Sequence, residues 1–173
     1  SVSRGLGDVY KRQIIYYPIN VDLSGVIEMQ TDILIQSFLD GVYDERLLDV
    51  YADETKIYYQ RERYINAIKK FEQCYKPGDV EIFSAPGRTE ICGNHTDHQN
   101  GEVLAASVNL DTIGIVKKTD DNVIRLVSDN YDEIIIRLDD VSVKEKEKET
   151  TKALIKGVVS GFLERKYAAV SYT

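Results

Sequence analysis

Proline, cysteine and histidine are all scarce in this sequence, with three, two and two copies among 173 residues. Each scarcity narrows the field. Cys74 and Cys92 form no C-x-x-C pair, so no disulfide framework is expected, and the thiols read as reduced. A cytoplasmic protein is the expectation. Three prolines beside 43% hydrophobic and 29% charged residues exclude collagenous and disordered chains, and leave a packed core. Positive charge is also in deficit: 22 Lys and Arg against 29 Asp and Glu leave a net charge of -7. That balance argues against a sequence-independent grip on nucleic acid, which needs clustered cations on phosphates. No apolar run approaches the ~18 residues of a membrane span, and no signal peptide is evident. Small molecules or other proteins are the expected partners.

The opening SVSRGLGDVYKRQ has neither a helical nor a strand period and carries no initiator Met. It resembles translated sequencing-adaptor read-through, and the closing VSYT resembles the start of another. Residues 1–28 and 168–173 are therefore expected to be non-native, with a genuine flexible arm as the alternative at the N-terminus. Met29 is the only methionine and stands just before the first helical pattern.

Residues 29–78 read as a helical lead-in. Ile33, Leu34 and Phe38 share one face before Gly41, and Leu47, Leu48 and Tyr51 form a second amphipathic turn. After Asp53, a suitable N-cap, Ile57, Tyr64, Ile65, Ile68, Phe71 and Tyr75 recur at helical spacing until Pro77-Gly78. The charged QRER within this run, residues 60–63, reads as a solvated face.

Beyond Pro77 the period changes to two, opening a unit that runs from Asp79 to Tyr167. Val80, Ile82 and Ser84 alternate with Glu81 and Phe83, and TIGIVKK, VIRLVSD and EIIIRLDD follow as strands separated by turn-rich segments. An antiparallel meander is expected. Behind the charged KEKEKET comes a helix from about Thr150 to Lys166, capped by Thr150 or Thr151, with Leu154, Ile155, Val158, Val159, Phe162 and Leu163 on one face. Gly157 and Gly161 would let it approach a sheet closely. The fold class is α+β: a mostly antiparallel sheet backed by helices and preceded by a helical lead-in.

Chemistry is concentrated in APGRTEICGNHTDHQNGEVL, residues 85–104, which hold both histidines. Arg88 follows Pro86-Gly87 at the end of a strand, where a planar fork of donors suits phosphate or carboxylate, or pairs with a surface acid. Asn94, His95 and Asp97 mix amide, imidazole and carboxylate, the donors and acceptors needed to hold several sugar hydroxyls. His95, Asp97 and His98 lack the further Cys or His that a zinc site requires, so no metal ligand set is assigned.

These residues carry a resemblance. APGRTEICGNHTDHQNGEVLAASV resembles the N-terminal signature of galactokinases, in which a typical member reads Gly-Arg-x-Asn-Leu-Ile-Gly-Glu-His-Thr-Asp-Tyr. The galactokinases belong with the homoserine, mevalonate and phosphomevalonate kinases. The similarity runs from about Asp79 to Lys166, and implies the N-terminal half of a galactokinase-like kinase. Further implications are ATP-dependent phosphorylation of the anomeric hydroxyl of galactose or a related sugar, with ATP and Mg as cofactors. Arg88 then stabilises the transition state and keeps the catalytic aspartate ionised. Asn94, His95, Thr96 and Asp97 form the sugar-binding segment, and Ser128 matches a position associated with the nucleotide.

Asn94 replaces the usual Glu, and His98 the usual Tyr. An amide donates as well as accepts, so the hydroxyl pattern being read differs. By the resemblance, the Gly- and Ser-rich phosphate loop, the base Asp and the Mg ligands come later than Lys166, and these 173 residues alone are expected to be inactive. A non-catalytic sugar sensor on the same fold is the alternative.

Overall fold

Four-residue apolar spacing builds the first layer. The computed structural model describes residues 21–22, 25–26, 29–93, 101–167 and 171–172. Helix α1, Thr31–Leu39, buries Leu34 and Phe38 on one face. Ile33, one residue from Leu34 and so about 100° around the helix, is half exposed rather than on the core face expected for it. Gly41, at φ 74°, ends that turn. Helix α2, Asp44–Tyr51, buries Leu47 and Tyr51 and stops at left-handed Ala52. Asp53 accepts from the Thr55 N–H and so caps a short 3-10 turn, Glu54–Lys56. Helix α3, Ile57–Tyr75, follows and buries Gln60, Tyr64, Ile65, Ile68 and Phe71.

Period-two sequence builds the second layer. Strands β1, Val21–Asp22, and β2, Gly25–Val26, form a two-rung antiparallel ladder. Strand β3, Met29–Gln30, pairs with β4, Asp79–Cys92, which pairs with β5, Leu104–Val116, in the antiparallel order β3-β4-β5. Val80 and Ile82 point to the helices and are buried, with Ile113 and Ile115 packed beside them. Phe38 lies wholly inside, its ring stacked on Tyr64 at 5.1 Å. Burying a side chain of that size contributes about 1.5–3 kcal/mol. Beyond Ser84 every residue of β4 is exposed, so the outer half of this strand extends past the helical layer.

The expected meander is interrupted. Strands β7, Val123–Leu126, and β8, Ile134–Arg137, form their own antiparallel hairpin, and β6, Lys118–Thr119, pairs with β9, Ser171–Tyr172. The second hairpin is tied back to α3 by Lys70 with Asp129 and by the Tyr75 hydroxyl on Glu133. Burial and the neighbouring Glu133 carboxylate push the Tyr75 phenol up to about 12.

Helix α4, Thr151–Glu164, is capped by Thr150, whose hydroxyl accepts from the Ala153 N–H. Its seating differs from the expectation. The helix lies against β8 and Val159 is buried, but Leu154, Val158, Phe162 and Leu163 are exposed. A Cβ on Gly157 or Gly161 would meet nothing within 4 Å, so neither glycine serves a close approach. The helix is instead held by buried Lys156, which donates to Glu147 at 2.7 Å.

That pair predicts an acid response. Lys156 holds the Glu147 carboxyl below its ordinary value of 4.5. A depressed carboxyl stabilises the fold fully above its unfolded pKa and loses that contribution as pH falls through its folded value. The helical circular-dichroism signal between pH 6 and 2 should therefore fall off less steeply below about pH 4.5 in Glu147→Gln than in wild type. Superimposable titrations would refute this. Among the described residues no helix is long and apolar enough to cross a membrane.

Candidate functional site

The outer arm of the β4–β5 hairpin carries two irregularities. Pro86 opposes Asp111 and Arg88 opposes Ser107, so Gly87 alone faces Val108, Asn109 and Leu110. Glu90 then opposes Ala105 and Cys92 opposes Leu104, leaving Ile91 as an extra residue on β4. Between these bulges lie three rungs, Arg88 with Ser107, Thr89 with Ala106 and Glu90 with Ala105. Bulges bend a strand and re-aim its side chains, so Arg88 is directed by the geometry on either side of it.

Arg88 is exposed, and its guanidinium has no ion-pair or hydrogen-bond partner among the described residues. The surface-acid pairing left open by its sequence position is thus not made there. Past the second bulge the chain reaches Gly93 at φ 90°, where a Cβ would stand 2.4 Å from the Glu102 carbonyl oxygen. Gly93 and Glu102, which bracket residues 94–101, therefore approach each other closely. Gly93→Ala would combine a left-handed backbone with a backbone clash and should destabilise the hairpin by about 1–3 kcal/mol. Urea denaturation checks this; an unchanged midpoint would refute the tight neck. Asn94, His95, Thr96 and Asp97, together with His98, lie outside the described residues. Ser128 is exposed in the turn after β7, where its carbonyl accepts from the Tyr131 N–H.

At the inner edge of the first bulge a polar cluster was not anticipated. The Asp111 side chain is 3% exposed. It accepts from the Tyr51 hydroxyl at 2.7 Å, the Ser84 hydroxyl at 2.6 Å and Arg63 Nη2 at 2.9 Å. Tyr51 and Tyr64 share a further hydrogen bond at 2.9 Å. Burial, followed by Tyr64 and Asp111, raises the Tyr51 phenol far above its ordinary value, and burial raises Tyr64 as well. Burial opposes the Arg63 charge, but Asp111 favours it, and its pKa ends above the ordinary value. The QRER segment is accordingly no solvated face. Gln60 is 5% exposed and accepts from Arg63, and Arg61 pairs with Asp44. Four-residue spacing turns Gln60 and Tyr64 inward together. A cavity of about 250 Å³ opens beside the cluster, lined in part by Tyr59, Gln60, Asn109 and Asp111, but Arg88 is not among its walls.

A family model described as the galactokinase galactose-binding signature matches residues 69–118, from the last turns of α3 through β5. The chain is similar to the N-terminal region of galactokinases. Galactokinase from Fusobacterium nucleatum is 34% identical over 104 residues, which is 59% of this chain and 27% of that protein. Galactokinase from Lactobacillus helveticus is 31% identical over 107 residues, 61% of this chain and 27% of its own length. The crystal structure of Lactococcus lactis galactokinase complexed with galactose superposes with a TM-score of 0.54 at 28% identity, covering 60% of this chain and 28% of that one. The galactokinase-like segment thus spans 27% of the length of these two curated relatives.

Proposed function

We propose that the hairpin and its loop form the sugar side of a galactokinase-like site, in which the γ-phosphoryl group of ATP passes to the anomeric hydroxyl of galactose or a related sugar. One coincidence carries this reading. The stretch matching the galactose-binding signature is the β4–β5 hairpin with the end of α3, and an arginine without a partner among the described residues stands on its outer arm. An unengaged guanidinium keeps its fork of donors for oxygens brought by a ligand.

In this proposal Arg88 stabilises charge on the transferring group, while His95 and Asp97, flanked by Asn94 and Thr96, take the sugar hydroxyls. All of these roles rest on the resemblance. Transfers of this kind depend mainly on positioning and electrostatics. Among the described residues no group of three or more His, Cys, Asp or Glu is gathered that could hold a metal ion. By the resemblance, ATP and Mg are held by parts of such a kinase outside the matched stretch, so these 173 residues are proposed to bind sugar without turning it over. Cys74 and Cys92 are both free and exposed, which suits a reducing, cytoplasmic setting.

Nuclear magnetic resonance titration of the chain with galactose tests the proposal. Shifts should concentrate at Arg88 and residues 93–103, weaken in His95→Ala and Asp97→Ala, and be absent with glycerol. No response at saturating galactose would remove the sugar-binding reading.

A further inference from the structure

Three observations converge on the bulge that precedes Arg88. First, the bulge is tightly seated, since a Cβ on Gly87 would stand 3.1 Å from Val108 Cγ2 and 3.2 Å from the Leu110 carbonyl oxygen. Second, Asn109, inside the bulge, donates from Nδ2 to the Tyr51 carbonyl at 3.3 Å. Tyr51 is the last residue of α2, so this carbonyl is one that no turn of the helix satisfies. Third, Asp111, at the bulge's inner edge, is gripped by Tyr51 of α2, Arg63 of α3 and Ser84 of β4. The irregular part of β5 is thus bolted to the helical layer by two side chains two residues apart, while no residue of its outer continuation, 104–108, is fully buried.

We propose that Asn109 and Asp111 are positioning residues for Arg88, clamping the bulge to α2 and α3 so that the helical layer sets the direction of the outer arm. The cause is mechanical. With only three regular rungs between the two bulges, the Arg88 segment has little ladder of its own to hold its orientation. Its inner boundary must be held from outside the hairpin. This role rests on the proposed sugar reading only for its consequence, not for the clamp itself.

Hydrogen–deuterium exchange on the 173-residue chain, comparing wild type with Asn109→Ala, tests the clamp. Amides at 86–92 and 104–108 should exchange about tenfold faster in this variant, an opening of roughly 1.4 kcal/mol at this scale. Amides at 64–71 of α3 should change by less than about twofold, or roughly 0.4 kcal/mol. Uniform acceleration of helices and hairpin, or an unchanged hairpin, overturns the proposal. Steady-state kinetics of Asn109→Ala in a galactokinase-length protein containing this segment then separate the two readings. A kcat reduced about tenfold with the sugar KM and the melting temperature unchanged supports positioning, and an unchanged kcat overturns it. If wild type itself ignores galactose while exchange behaves as expected, the clamp stands and the sugar reading fails.

Discussion

Asp111→Ala should destabilise the chain by about 3–5 kcal/mol, the cost typical of removing one partner from a buried ion pair. The mutation deletes a carboxylate that is 3% exposed and serves three donors at once. Arg63 would keep its charge in a partly buried site, and the Tyr51 and Ser84 hydroxyls would lose their acceptor. Leaving donors unsatisfied costs more than the bonds themselves gain on folding. Because stabilities of 5–15 kcal/mol are usual, a large share of the total is at stake. Asp111→Asn keeps the shape and one acceptor oxygen, and should cost about 1–3 kcal/mol. Urea denaturation of the three proteins checks both values. A loss below about 1 kcal/mol for the alanine variant would mean that water replaces the carboxylate and that the cluster is not a tie between helices and hairpin.

Arg88→Ala, made in a galactokinase-length protein containing this segment, should lower turnover by about 10²–10³-fold while changing sugar affinity much less. The reasoning is electrostatic. A fixed donor aimed at charge that develops during transfer lowers the barrier without holding the ground state equally tightly. Arg88→Lys retains the charge but not the planar fork, and should recover only part of the loss. Stability should not move, since the side chain is exposed and engages no described residue through its guanidinium. Steady-state kinetics with separate kcat and KM decide the matter. Turnover within a few-fold of wild type would end the catalytic assignment, and a rise in KM alone would reduce Arg88 to a binding residue.

The reach of the sequence can be judged from particular elements. The inward residues of α2 and α3 were legible because burial follows the four-residue repeat, and Leu47, Tyr51, Tyr64 and Ile68 all obey it. Thr150 as a cap was legible because capping is local. The face of α4 was a different matter. Its apolar stripe is real, yet Leu154 and Phe162 remain exposed, because periodicity names a face without naming what covers it. The meander failed similarly: each strand segment was recognisable, but whether β5 and β7 pair is a non-local choice.

The polar cluster was the largest omission, and it had a signal. Asp111 shares the parity of Ile113 and Ile115, so a carboxylate falls on the inward face of an apolar strand. An acid there needs partners, and Arg63 stands in the QRER run taken as solvated. The strand pattern TIGIVKK begins at Thr112, one residue too late to reveal the conflict.

Local pattern alone therefore determined which segments coil, which extend, where chemistry is concentrated, and which family's signature the loop resembles. Each depends on residues near one another in the chain. Tertiary structure alone decided that the lead-in helices grip β5 beside Arg88, that α4 leaves its stripe uncovered, and that two bulges isolate the arginine's short ladder. Those outcomes turn on contacts between residues tens of positions apart, such as Tyr51 with Asp111, whose free energy exists only once the chain has brought them together.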